Sequence, residues 1–219
     1  MKFVLFSSTT FEVSDPVALI ESYCFQSDFY RKYDLLLLEP DGRKVDHVNK
    51  IGARIRGGAL QSIKLIIEET KDLRIFRYDL DRFLEVDDAT RSDHINELSE
   101  KVIKKLLGIE GIGLSRATKV LHTLYPEIIP MIDDALQDEY RSTINSRWTE
   151  KQPEQIITAY YNNLKHGNNW QNLVEIFSQT RSSGILGLTK VRIFDILWWS
   201  YLKAKRLRQE KNIHWSTIK

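Results

Sequence analysis

From Val45 onward, apolar residues recur at three- and four-residue intervals, and this rhythm constrains the fold more than any other feature of the 219-residue chain. In TRSDHINELSEKVIKKLLGI, the side chains of Ile95, Leu98, Val102 and Leu106 share one helical face, which must be buried against other helices. The stretches HVNKIGARI, ALQSIKLIIEE, EQIITAYYNNLKH, NWQNLVEIFSQT and TKVRIFDILWWSYLKAKRLRQEK repeat the pattern between short polar connections. Thr90 and Asp93 have capping-box spacing at the start of their helix. No internal repeat or long linker interrupts the series, so a mainly α fold forming one body over residues 1–219 is expected.

The first 45 residues form an annex of different character. MKFVLF and YDLLLLEPDGRKV read as short strands, with EPDG as a turn. Between them, SDPVALIESY reads as a helix capped by Ser14, with Pro16 near its first position.

A hydrophobic fraction of 42% and a charged fraction of 28% belong to an ordered globular chain. No run of about 18 apolar residues and no signal-peptide pattern appears, so a cytoplasmic protein without a membrane partner is expected. Cys24 is the only cysteine, which excludes an internal disulfide and a four-cysteine iron–sulfur cluster. The five histidines are scattered, without the H-x-x-x-H spacing that sets two metal ligands on one helical face. A net charge of +2 is too small to announce a nucleic-acid partner, so the distribution of charge must decide.

The chemistry concentrates in GIEGIGLSRATKVLHTLYPEIIPMIDD, residues 108–134. Gly111 and Gly113 allow a tight turn and close approach by another molecule. Ala117, Val120, Leu121 and Leu124 then give the following helix a packed face, leaving its N-terminal N–H groups as a place for a phosphate oxygen. Pro126 and Pro130 turn the chain back before Asp133, which stands 20 residues after Gly113 (133 − 113). Taken alone, Asp133 reads as an N-cap for DALQDEYR. Asp134 reads as the helix-start carboxylate.

This stretch resembles the helix-hairpin-helix/Gly-Pro-Asp superfamily of DNA glycosylases. The matching features are the Gly-hydrophobic-Gly turn at 111–113, Ala117 four residues after Gly113, and the Pro-hydrophobic-hydrophobic-Asp loop at 130–133. The motif covers about residues 98–140. It implies a helix-hairpin-helix glycosylase-like fold acting as a monomer on DNA, with Asp133 catalytic. Gly111, Ile112, Gly113, Ser115, Arg116 and Lys119 would form the DNA-binding surface, and the family also implies a monovalent cation at the hairpin. Members that form a Schiff base carry lysine where this chain has Ser115. Lys119 lies a further turn along the helix, so hydrolysis without lyase chemistry is expected.

The implied reaction removes a flipped, modified or mispaired base and leaves an abasic site. It would serve DNA repair, or defence against phage DNA carrying modified bases. The alternative is a noncatalytic hairpin module that only binds DNA. Outside the motif, Trp198, Trp199 and Tyr201 are candidates for pocket walls as well as for core, and Asp195 is placed to pair with Arg192 across one turn. Two basic stretches follow: Lys203, Lys205, Arg206, Arg208 and Lys211 read equally as phosphate contacts or a solvated helix end, while Lys50, Arg54 and Arg56 read more as a solvated helical face than as phosphate contacts.

Overall fold

The computed structural model describes residues 1–5, 9–26, 28–39 and 42–211. It is mainly helical, with a two-stranded antiparallel sheet at the N-terminus. The strands are β1 (Lys2–Leu5) and β2 (Thr9–Glu12), with Phe3 opposite Phe11. Helices α1 (Pro16–Gln26) and α2 (Asp28–Leu36) follow, then a 3₁₀ segment at Val45–Ile51 and α3 (Gly57–Thr70). The central group comprises α4 (Leu80–Glu85), α5 (Asp88–Leu98), α6 (Lys104–Leu107), α7 (Leu114–Leu124) and α8 (Asp134–Thr143). The chain ends in α9 (Pro153–Lys165), α10 (Asn169–Ser182) and α11 (Lys190–Lys211).

The hydrophobic rhythm accounts for the packing. Ile95, Leu98, Val102 and Leu106 are all buried, and a π-helical stretch at Ser99–Ile103 keeps their face turned inward between α5 and α6. Helix α11 is buried nearly all round from Val191 to Trp198, so it is the core element against which α1, α8 and α10 pack. A buried ion pair ties it to the annex: Arg192 Nε donates to Asp34 Oδ1 at 2.9 Å. Stripping one partner from such a pair costs about 3–5 kcal/mol, because the other charge is left without compensation.

The annex differs from its expected form in three respects. YDLLLL belongs largely to α2 rather than to a strand, and the EPDG turn falls partly outside the described residues. A second strand, β2, stands at Thr9–Glu12. The cap of α1 is Asp15, whose Oδ1 accepts the Ala18 N–H at 2.9 Å, not Ser14. At α5 the cap stands three residues before the expected Thr90: Asp87 accepts the Thr90 N–H at 2.9 Å and the Thr90 hydroxyl at 2.7 Å, so Thr90 sits inside the first turn.

The open edge of β1 is closed by a side chain. Asn169 accepts the Val4 N–H at 3.0 Å and donates to the Val4 carbonyl at 2.7 Å, substituting for a third strand. Phe11 also stacks on Tyr201 with ring centroids 4.8 Å apart. Tyr201 therefore joins the annex to α11 instead of walling a pocket.

Candidate active site and nucleic-acid interface

The turn between α6 and α7 has the conformation that its glycines allow. Gly111 sits at φ 77°, and a Cβ on Gly113 would press to 3.2 Å from the Glu150 carboxylate. Gly108, Glu110 and Gly111 are exposed, whereas the Ile112 side chain is buried and pins the turn to the body. The first intrahelical donor of α7 is the Ala117 N–H, bonded to the Gly113 carbonyl at 3.0 Å. The N–H groups of Leu114, Ser115 and Arg116 therefore lack helical acceptors.

The expectation that all of these face an incoming phosphate needs correction at Leu114. Its N–H donates to Glu150 Oε2 at 3.1 Å, so a carboxylate from the loop after α8 caps α7 from a distance. Gly113, the local N-cap, has no side chain with which to do this. Ser115 and Arg116 are half-buried in the first turn. The Arg116 guanidinium donates to the Gly111 carbonyl. A monovalent cation on that carbonyl would have to displace a charge already there, so the turn in this form does not fit one.

The loop from α7 to α8 is held at nearly every residue. His122 Nδ1 donates to the Ile129 carbonyl at 2.6 Å, and burial pushes the imidazole down to about 3, so the ring is neutral. The Tyr161 hydroxyl donates to the Ile128 carbonyl at 2.5 Å, and Thr189 Oγ1 donates to the Pro126 carbonyl at 2.7 Å. The Ile132 N–H donates to Thr118 Oγ1 at 3.0 Å, tying the loop back to α7. The Met131 N–H donates to Asp195 Oδ2 at 3.0 Å, tying it to α11. This network fixes the backbone on both sides of Pro130 and therefore the origin of the Asp133 side chain.

Asp133 is the N-cap of α8: its Oδ1 accepts the Leu136 N–H at 2.9 Å. Asp134 is the exposed first residue of the helix. Capping does not remove Asp133 from chemistry, because the side chain also lines a cleft of about 110 Å³. Tyr23, Lys119, Arg192, Asp195, Trp198 and Trp199 are among the other walls. Burial raises the Asp133 pKa above the ordinary carboxylate range, opposed by the Leu136 N–H and the charge of Lys119. Burial in turn lowers the Lys119 pKa, opposed by Asp133 and Asp134.

Lys119 thus shares the cleft with Asp133. It lies on the same face of α7 as Ser115, one turn further along the helix. Asp195 does not hydrogen-bond Arg192 as expected; it accepts the Tyr160 hydroxyl at 2.8 Å and the Met131 N–H, while Arg192 turns to Asp34 and to the Tyr23 hydroxyl at 2.6 Å. Burial pushes the Asp195 carboxyl up to about 7. Tyr23 meets Trp199 edge to face at 5.8 Å, making the aromatic side of the cleft. Tyr23 carries no motif signal, and only the packing of α1 on α11 brings it here.

The described part of the basic C-terminal stretch is mostly engaged internally. Lys205 pairs with Glu139 at 2.7 Å, Arg206 lies 3.8 Å from Asp138, and Lys203 sits over the Trp199 ring at 4.8 Å. The side chains of Arg208 and Lys211 lie outside the described residues. A separate cavity of about 390 Å³ shares no residue with the cleft, and two of its cations are already paired, Arg43 with Glu127 and Lys190 with Asp81. No helix among the described residues is long and apolar enough to cross a membrane. Comparison with protein-family models, curated proteins and solved structures finds no match to this chain.

Proposed function

We propose that the protein is a monofunctional DNA glycosylase that hydrolyses the N-glycosidic bond of a flipped, modified or mispaired base, with Asp133 as the catalytic carboxylate. The observation that carries this reading is the position of Asp133: it lines an aromatic-walled cleft and is fixed by a loop bonded to α7, the helix that the glycine turn opens. As the bond breaks, its electron pair leaves with the base and positive charge develops on the sugar. An ionised carboxylate beside that carbon stabilises the charge, and water then adds there and gives up a proton. Lys119 helps keep Asp133 ionised against the cost of its burial.

The cleft volume of about 110 Å³ lies below the range of about 300–1,000 Å³ common for small-molecule sites, so a base enters only if a wall moves. Trp199, half-buried beside Tyr23, is the wall suited to that movement. The aromatic faces can then stack on the extruded ring. DNA is the partner, gripped through the turn at Gly111, Ile112 and Gly113 and the first turn of α7. The same chemistry serves repair of lesions or attack on phage DNA with modified bases.

The test is incubation with duplexes carrying a panel of damaged and naturally modified bases, scored for free base and abasic sites. Wild type should release at least one base, and Asp133→Asn should lose about 100-fold or more of that rate while still binding duplex. Quenching with borohydride should trap no covalent adduct. Binding without base release across the panel would replace this reading with that of a noncatalytic DNA-binding module. An adduct abolished by Lys119→Met would assign Lys119 as a nucleophile and overturn the monofunctional part.

A further inference from the structure

A groove of about 760 Å³ lies beside the glycine turn, between residues 54–62 and residues 109–116. Three arginines line it: Arg54, Arg56 and Arg116. Arg116 is committed to the Gly111 carbonyl, but the side chains of Arg54 and Arg56 are exposed and make no ion pair or hydrogen bond among the described residues. Glu110 is the single acidic side chain in the lining, so the groove has a net excess of positive charge. Elsewhere on the described surface Lys64, Lys101, Lys104, Lys105, Arg141 and Lys165 each pair with a carboxylate, whereas Arg54 and Arg56 stand side by side in one groove without one.

The backbone presents these two arginines deliberately. Along Ala53-Arg54-Ile55-Arg56, the alanine and isoleucine are buried and the arginines face out. Asn49 clamps Ile55 by donating to its carbonyl at 2.9 Å and accepting its N–H at 2.6 Å. Arg54 is held at φ 53°, the only non-glycine described with positive φ. That conformation costs about 1 kcal/mol or more for a residue with a Cβ.

The groove also leads to the cleft. Arg116 in the groove and Lys119 in the cleft are three residues apart on α7, hence neighbours at roughly 5–6 Å between Cβ atoms. Ile51 in the cleft and Arg54 in the groove are likewise three residues apart along the adjoining segment. A strand whose phosphates lie against Arg54 and Arg56 therefore runs beside the glycine turn toward the cleft that Asp133 lines.

We propose that Arg54 and Arg56 form a second phosphate-binding site, which holds the DNA backbone next to the nucleotide presented to Asp133. This rests on the glycosylase reading and adds to it a grip outside the hairpin. Two free guanidiniums suit phosphodiester oxygens, with bidentate geometry and a permanent charge.

The test uses a short fluorescein-labelled duplex containing one tetrahydrofuran abasic analogue, so that the identity of the excised base is not needed. Binding is measured by anisotropy across a salt series for wild type, Arg54→Gly/Arg56→Ala and Lys71→Ala. Glycine at 54 relieves the positive φ, so the double variant keeps its fold. Lys71 caps the C-terminus of α3, about 14 Å along the helix from Ser62 at the groove's edge at 1.5 Å per residue, and serves as the remote control. The double variant should lose about tenfold in affinity at moderate salt, and its log K against log salt slope should become shallower by about 1.8, or about 0.9 per phosphate contact; Lys71→Ala should match wild type. Salt-dependent binding with an unchanged slope in the double variant overturns the second site and leaves the glycosylase reading standing. An equal loss in Lys71→Ala overturns it too, since the effect would then be one of net charge. No binding by wild type at low salt overturns both.

Discussion

Asp133 and Lys119 are each held away from their ordinary protonation behaviour by burial, and each partly offsets the other. The sign of the consequence follows directly. On the proposed glycosylase reading, excision needs the Asp133 carboxylate ionised, and burial raises its pKa, so the rate should fall as pH drops through a point above the usual carboxylate range. Lys119 lowers that point through its positive charge. In Lys119→Met the charge is gone, the Asp133 pKa rises further, and the acid limb of the pH–rate profile should move to higher pH. Lys119→Arg should keep the wild-type limb. An unmoved limb in Lys119→Met would mean that Asp133 does not set it. As a candidate, Asp133 could be picked out of the sequence because its motif is local. Its place as the N-cap of α8 was legible too, but spacing alone weighs one role against the other, whereas the structure accommodates both: one oxygen caps the helix while the side chain lines the cleft.

At the scale of elements, α7 is opened by a glycine and capped from outside by Glu150. That carboxylate stands at the positive end of the helix, where a DNA phosphate would also be drawn. The two should compete. Glu150→Gln keeps an acceptor for the Leu114 N–H and removes the negative charge, so affinity for an abasic-analogue duplex should rise about threefold or more at low salt, with little change in melting temperature. Glu150→Ala removes the cap and should cost about 1 kcal/mol of stability, read as a lower melting temperature. An equal affinity in Glu150→Gln and wild type would show that phosphate does not approach this N-terminus. The helices themselves were legible because their buried positions follow a 3.6-residue period. Where apolar residues run together, as in YDLLLL, periodicity cannot separate strand from helix. Within that stretch Asp34 pairs with Arg192, 158 residues away, a contact that leaves no local trace in the sequence.

Across the whole molecule, the cleft is assembled from α1, the segment before α3, α7, the loop before α8, and α11. No single stretch encodes it, which is why Tyr23 and Arg192 went unread as lining residues although the loop carrying Asp133 did not. Asp195 is where this assembly carries a measurable cost. Packed into the core, it holds the Met131 N–H two residues ahead of Asp133, and burial raises its carboxyl to about 7. In the unfolded chain the group titrates near 3.9. Between about pH 4 and 7 the folded protein therefore keeps a proton that the unfolded chain has released, and stability falls as pH rises through that window. The cost is absent below it and fully developed above about pH 7. Asp195→Asn retains an oxygen acceptor for the Met131 N–H and removes the titration. The melting temperature of the variant, minus that of wild type, should therefore be larger at pH 8 than at pH 5. The same difference at both pH values would place the Asp195 titration outside this window and leave its carboxylate a neutral contributor to pH-dependent folding, a result that paired thermal melts decide without any substrate.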